Sequence, residues 1–333
     1  MAALYILSKV TVIYLPVILA VVAAFVLNPA VNIVAAIPLG KTTHMPRGVA
    51  ILIVFVLAGL LLTAVTTFVL LPFVSEFNKF VIDLPKFANR VKALSQLIEQ
   101  VNSAQVPDNI RLLIEDELSG ATTYVVGLVR NTITAVFSFA TQVIELVVVP
   151  VLVFYFLKDW RDLKSGVISL FPAPAQPKAI TVVEEMAVVV SNYIRGQVLI
   201  SIIIGLMVFC GMHFLGVEYP LVLGLLATLT ETIPIIGPIV GAIPAILLAY
   251  LASPVLAIKV AAFYIILHQI ENHLIVPNIM GHTIALHPTM VIISLLIGGQ
   301  LYGIAGMILA VPVAALLKVI LRHLWYLNDN KGG

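Results

Sequence analysis

Two rare carboxylates lie beside breaks in the apolar C-terminal half of this chain. Residues 196–317 contain only four charged side chains: Glu218, Glu231, Lys259 and Glu271. Glu231 comes just before the run Ile233-Pro-Ile-Ile-Gly-Pro238, whose prolines free backbone carbonyls one turn earlier. A carboxylate in such a segment is costly unless it meets something polar. The pattern predicts a site that ligates a cation, exchanges a proton or accepts hydrogen bonds from a polar solute.

A second polar cluster surrounds Glu271. Four of the seven histidines fall between residues 268 and 287. On a helix, His268 shares a face with Asn272, and Gln269 shares a face with His273. The chain has no HExxH or CxxC motif, so a metal site is not expected. This cluster predicts a polar helix end that binds solute, forms a hydrogen-bond network or moves protons.

One candidate set contains the residues near the breaks together with Arg195 and Gln197, which lie where a predicted span enters the membrane. The predicted substrate- or ion-binding residues are Thr230, Glu231, Pro234, Gly237, Pro238, Gln269, Glu271, Asn272, Pro277, Gly281, Arg195 and Gln197. Secondary candidates are Glu145, His268, His273 and Gln300. For Glu231 the alternative is a helix-end cap, and for Arg195 it is snorkelling to the interface. No catalytic residue, metal ligand or cofactor is predicted.

Composition places these residues in a membrane. The chain is 61% hydrophobic and 10% charged, with a mean hydropathy of +1.14, whereas soluble domains are about 25% charged. A net charge of +2 gives no reason to expect nucleic-acid binding. There is no GxSxG or Walker A motif and no aspartate between Asp162 and Asp329, so an enzyme is not expected.

The predicted fold is an all-α, polytopic integral membrane protein with broken helices and a small amphipathic helical cap. The cap is expected because Phe87, Val91, Leu94, Ile98 and Val101 recur at helical spacing. The predicted divisions are scaffold helices over 1–75, the extramembrane cap over 76–120, a transmembrane region over 121–157, a cytoplasmic connection over 158–195, a transport core over 196–322 and a tail over 323–333.

Two blocks of the core are interrupted by proline or glycine. The first is Pro220–Tyr250, and the second is Ile284–Leu321, broken at Gly298-Gly-Gln-Leu-Tyr-Gly303. Each block is either a re-entrant hairpin or a kinked span; the short leading arms favour hairpins. Lys and Arg in short loops and at the C-terminus predict that the C-terminus is cytoplasmic.

Several motifs occur in the order found in a known family. They are Tyr193-Ile-Arg-Gly-Gln197, Ile233-Pro-Ile-Ile-Gly-Pro238, Glu271–Pro277 with Ile279-Met-Gly281, Leu286-His-Pro288, and Gly303-Ile-Ala-Gly-Met307 through Pro312. Together they resemble the autoinducer-2 exporter (AI-2E) family of bacterial and archaeal permeases. The resemblance implies a multi-spanning permease, a homo-oligomer (a pentamer), and export of autoinducer-2 or sodium/proton antiport.

The leading functional hypothesis is therefore secondary transport of a small polar solute, similar to the quorum-sensing signal autoinducer-2, across the cytoplasmic membrane. The first alternative is a sodium (or lithium)/proton antiporter, in which Glu231, Glu271 or Glu145 titrates. The second is a membrane assembly or signalling partner that transports nothing. The expected partners are the lipid bilayer, the transported solute or ions, and further copies of the chain.

Overall fold

The computed structural model describes residues 11–38, 45–80, 82–83, 143–281 and 286–329. These residues are almost entirely helical, and no β-strand occurs among them, which confirms the all-α prediction. The predicted helix of the cap, Pro85–Asn102, lies outside the described residues. The helices are α1 (Thr11–Ala35), α2 (Arg47–Val65), α3 (Val143–Lys158), α4 (Trp160–Ser169), α5 (Gln176–Leu215), α6 (Pro220–Thr230), α7 (Ile236–Ala252), α8 (Pro254–Ile270), α9 (Val276–Met280) and α10 (Pro288–Asp329).

Five helical stretches in the described part of the chain are long and apolar enough to cross a bilayer. They are Pro16–Ala35, Arg47–Phe80, Ala173–Leu215, Pro254–Met280 and Pro288–His323. A span needs about 20 apolar residues, and many of their large apolar side chains are exposed. Lipid is the solvent that suits such surfaces. These helices make the chain a multi-pass membrane protein.

Helix α5 is longer than the sequence suggests. It runs for 40 residues without a break, from Gln176 in the predicted cytoplasmic connection (158–195) to Leu215 in the predicted transport core (196–322). The helix ends where Gly216 takes a φ of 71°. There the Val217 amide donates to the Met212 carbonyl at 2.9 Å, a bonding pattern that closes helices when glycine follows the last turn.

The described residues divide into two compact units. The described residues of one unit lie within 1–63, 142–199 and 276–333, and those of the other lie within 64–141 and 200–275. In the first unit, α1, α2 and α3 share a core that includes Ala20, Val31, Ala50, Ile51, Val54, Val153 and Leu157. Arg47, the first residue of α2, links the three helices by hydrogen bonds. Its guanidinium donates to the Leu157 carbonyl of α3 at 2.7 Å, and to the side chains of Asn28 and Asn32 of α1 at 3.0 Å and 3.3 Å.

A proline in α1 explains the position of Arg195 in the same unit. Pro29 has no amide hydrogen, so the Phe25 carbonyl four residues earlier lacks its helical donor. Arg195 Nε donates to this carbonyl at 2.7 Å. An unsatisfied carbonyl in an apolar surrounding is costly. Arg195 thus has a structural partner, and its predicted role in substrate binding stays a prediction.

Helix α10, also in the first unit, contains a sharp reversal. Tyr302 and Gly303 leave helical geometry, and Gly303 has a φ of 59° and a ψ of −138°, a conformation that suits glycine. The two arms then meet: a Cβ built on Gly306 would lie 1.9 Å from the Gly298 carbonyl oxygen. The second predicted break is therefore a helical hairpin; its re-entry from one side of the bilayer stays a prediction.

In the second unit, the N-terminus of α6 is held by the end of the helical stretch that follows α2. A π-helical turn, Thr66–Leu70, continues into helical residues as far as Phe80. Glu76 accepts a hydrogen bond from the Leu221 amide at 3.2 Å, so it satisfies a free amide at the start of α6. The Tyr219 hydroxyl donates to Asp83 at 2.7 Å, and the Tyr219 ring packs edge-on against Phe80.

We expect Gly306→Ala to lower the stability of the purified protein. The added methyl group would overlap the Gly298 backbone, and such overpacking typically costs about 1–3 kcal/mol. Gly59→Ala is the matched control, because a Cβ at Gly59 meets nothing within 4 Å. The measurement is the thermal midpoint in detergent. Equal midpoints for the two variants would contradict the hairpin contact.

We also expect Tyr219→Phe to lower the free energy of unfolding by about 1 kcal/mol, the usual value of one hydrogen bond. The substitution removes the bond to Asp83 and keeps the ring. Tyr250→Phe, at an exposed position in the same unit, is the control. Thermal or denaturant unfolding of both variants checks the prediction, which fails if Tyr219→Phe behaves like the control.

Candidate functional site

The first predicted break is a tight helical hairpin between α6 and α7. Helix α6 ends at Thr230, and α7 begins at Ile236. Between them Ile235 has a φ of 69°, a value that is unusual and strained for a β-branched residue. A Cβ on Gly237 would lie 2.0 Å from the Thr230 carbonyl oxygen. Only glycine lets the start of α7 approach the end of α6 so closely.

Glu231, in this turn, meets Glu271 from the end of α8. Glu231 is 2% exposed and Glu271 is 6% exposed, and both line the same narrow cavity. Two carboxyl groups can hydrogen-bond to each other only when one of them carries a proton, because ionised carboxylates are acceptors only. Two negative charges in one buried cavity would repel strongly away from water. The geometry therefore suits a pair of carboxyl groups that shares a proton.

Glu271 begins a π-helical turn, Glu271–Ile275, that interrupts the helix after Ile270. Single π turns inside α-helices are often found at functional sites, because the extra residue changes where the side chains point. One turn earlier, His268 places its Nδ1 3.0 Å from Glu271 Oε2. The His268 side chain is 40% exposed, and that of Glu271 is 8% exposed. The three groups thus form a continuous polar chain from a buried carboxyl to an exposed imidazole.

A narrow cavity adjoins the two carboxyl groups, with room for about one water molecule. Tyr264 lines one side of this cavity, and its hydroxyl donates a long hydrogen bond of 3.4 Å to the Gly241 carbonyl. Thr230 lies on another side, where its hydroxyl donates to the Ala227 carbonyl at 3.2 Å. The remaining lining residues are Ile204, Glu231, Pro238, Leu267, His268 and Glu271.

The other predicted residues fall into two groups. In the second unit, Pro234 lies in the turn, and Gln269, Asn272 and His273 are exposed and do not line the cavity. The first unit contains Arg195, Gln197, Pro277, Gly281, Gln300 and Glu145. Gln197 is buried on α5, and Pro277, Gly281 and Gln300 are exposed. Glu145 lies in α3. The binding role of every predicted residue stays a prediction.

Two polar residues near the cavity, Tyr264 and Ser201, were not predicted from the sequence. Tyr264 is hidden in the apolar run of α8. Ser201 is 3% exposed, and its hydroxyl has no hydrogen-bond partner among the described residues. It lies one turn before Ile204, which lines the cavity. The available signal was the four-residue spacing of Tyr193, Gln197 and Ser201, which puts three polar groups on one face of an apolar helix.

Comparison with known proteins agrees with this architecture. Residues 1–325 match the family described as "AI-2E family transporter". The chain is 31% identical over 241 residues to "Putative transport protein YrrI" of Bacillus subtilis, covering 72% of this chain and 68% of that protein. It is 26% identical over 320 residues to "Putative transport protein YueF" of the same organism, covering 95% and 85%.

A relative from another bacterium carries a similar description. "Putative permease PerM" of Escherichia coli K12 is 29% identical over 315 residues, covering 93% of this chain and 86% of that protein. The match to the family extends through both units and includes the α6–α7 hairpin, the two carboxylates and the α10 hairpin. This multi-pass, all-α membrane protein belongs to the AI-2E family of transporters.

Proposed function

We propose that this protein is a secondary transporter that moves a small polar solute across the cytoplasmic membrane and exchanges a proton at Glu231 and Glu271. The observation that carries the proposal is the pair of buried carboxyl groups, Glu231 and Glu271, that line one cavity. Ionisable groups inside a membrane protein commonly mark proton or substrate paths. The family and the permease and transport descriptions of the relatives support the same class of function.

The proton can be exchanged because the pair has two stable ways to limit its charge. With a proton between them, the carboxyl groups stabilise each other by a hydrogen bond. Without it, the second negative charge requires a cation or strong hydrogen-bond donors in the cavity. A cargo that supplies either one replaces the proton. Binding of cargo and release of a proton are then linked at one site.

His268 provides the route by which the proton leaves the pair. Its imidazole contacts Glu271 and is partly exposed, and the two ring nitrogens allow it to accept a proton on one side and donate one on the other. A proton passing from Glu231 to Glu271 and then to His268 moves only between groups in direct contact. The side chain thereby connects a buried site to the surface of its unit.

Sodium (or lithium)/proton antiport is the second candidate, and the width of the cavity favours it. Carboxylate oxygens suit a hard monovalent cation, and a space for about one water molecule suits a single ion. An autoinducer-2-like ring is larger than this space, so it would require a more open conformation.

We also propose that the protein forms a homo-oligomer, which the family resemblance implies to be a pentamer. A protein that assembles with a partner and transports nothing is the third alternative.

Glu231→Gln is the first test. Glutamine keeps the size and hydrogen-bonding ability of the side chain but cannot exchange a proton. In proteoliposomes with a pH-sensitive dye inside, we expect the wild type to move protons when cargo is added and Glu231→Gln to fall to background. The cargo candidates are sodium, lithium and autoinducer-2. Glu271→Gln should behave in the same way.

Glu218→Gln is the matched control, because Glu218 is an exposed carboxylate outside the cavity. It should retain wild-type proton movement. Unchanged proton movement in Glu231→Gln would exclude exchange at the pair. A thermal-shift measurement distinguishes solute transport from sodium (or lithium)/proton antiport. We expect sodium or lithium to raise the unfolding midpoint of the wild type if the ion is the cargo, and the solute to raise it if the solute is the cargo.

His268→Gln tests the proton route. We expect slower proton-coupled transport, because glutamine cannot accept and release a proton. His213→Gln is the control, since His213 is exposed and lies outside the cavity. A transport rate for His268→Gln equal to that of the wild type would rule out His268 as the relay.

A further inference from the structure

Helix α4, far along the chain from the candidate site, is strongly amphipathic. At about 100° per residue, Trp160, Leu163 and Val167 of α4 form one narrow apolar stripe, which Leu170, the residue just after the helix, extends. All four are exposed, from 41% for Trp160 to 81% for Leu170. Exposed Phe171 follows Leu170. A ten-residue helix that exposes this many large apolar side chains requires a surface to cover them.

Of the other two faces of α4, one is turned toward α5 and the other is polar. Lys164 and Ile168, one turn apart, are the half-buried residues of the helix. Lys164 forms an ion pair with Glu184 of α5, so this face of α4 is turned toward α5. The third face is polar and exposed, with Arg161, Asp162, Ser165 and Ser169. The apolar stripe is thus neither the face toward α5 nor the face suited to water.

The chemistry of the stripe favours lipid as its cover. Helix α4 follows α3 after a single non-helical residue, Asp159. The exposed residues of α3 just before it, Val148, Val151 and Tyr155, are themselves apolar or aromatic. The exposed apolar residues therefore continue along the chain from the apolar helix α3 onto α4. Tryptophan at a helix start beside exposed Lys158 and Arg161 is the composition found at the membrane–water boundary.

A soluble partner or a second copy fits these observations less well. Protein interfaces gain specificity from polar groups placed among the apolar ones, and the stripe itself contains none apart from the indole N–H of Trp160. Indole prefers the headgroup level, where its ring meets acyl chains and its N–H meets water. Amphipathic helices with charged residues on the opposite face lie in this layer.

We propose that α4 is an interfacial helix, with Trp160, Leu163, Val167 and Leu170 buried in the boundary between the headgroups and acyl chains of the bilayer. Its partner is the phospholipid surface. The polar face carrying Arg161 and Ser165 then contacts water. The ion pair between Lys164 and Glu184 connects this surface-bound helix to α5.

The chain offers a direct test because it has only two tryptophans, Trp160 and Trp325. Trp325→Phe leaves Trp160 as the single indole reporter. The protein is reconstituted into phosphatidylcholine vesicles, with or without bromine atoms near the top of the acyl chains. We expect bromolipid to reduce Trp160 emission roughly twofold or more, since bromine quenches only at contact and the indole lies at this depth. Aqueous acrylamide should quench it weakly.

Two variants on this background give the matched comparison. Leu163→Glu places a charge in the stripe, so bromolipid quenching should fall and acrylamide quenching should rise. Ser165→Glu places the same charge on the polar face and should leave both unchanged. The proposal is overturned if Trp160 in the parent is not quenched by bromolipid, whether acrylamide reaches it (exposure to water) or does not (cover by protein).

Discussion

Breaks in the apolar helices of the described residues need polar partners, because a free carbonyl or amide in hydrocarbon is costly. The structure supplies such partners in three different ways. Arg195 donates to the carbonyl that Pro29 frees at Phe25. Glu76 accepts from an amide at the start of α6. In the turn between α6 and α7, the Gly237 amide donates to the Ile233 carbonyl at 2.8 Å.

The same constraint explains why the carboxyl pair is where it is. A hairpin turn in an apolar surrounding already gathers polar backbone groups, so a carboxylate there costs less than in a regular helix. Glu231 occupies that turn, and Glu271 begins the π turn of α8. Each lies at an irregularity of its own helix. A proton shared between them would limit the charge of a pair that has room for little water beside it.

The sequence predicts where the helices are interrupted, but it does not predict that the two carboxylates beside the interruptions lie close together. Proline and glycine at 233–238 and 298–303 predicted interrupted helices because their effect is local. The contact between Glu231 and Glu271 depends on how α6, α7 and α8 pack, which no local pattern encodes. Arg195 was ambiguous because its partner, Phe25, is distant in the chain. Tyr264 was hidden because an isolated tyrosine in an apolar run resembles any core aromatic.

The bond between Arg195 and Phe25 has a consequence for biogenesis. The acceptor is synthesised 170 residues before its donor. At about 5–20 residues per second, ribosomes need roughly 9–34 s to make that stretch. During this interval the Phe25 carbonyl lacks its final donor and depends on another one, such as water. The bond that completes α1 at this point can therefore form only after the middle of α5 has been translated.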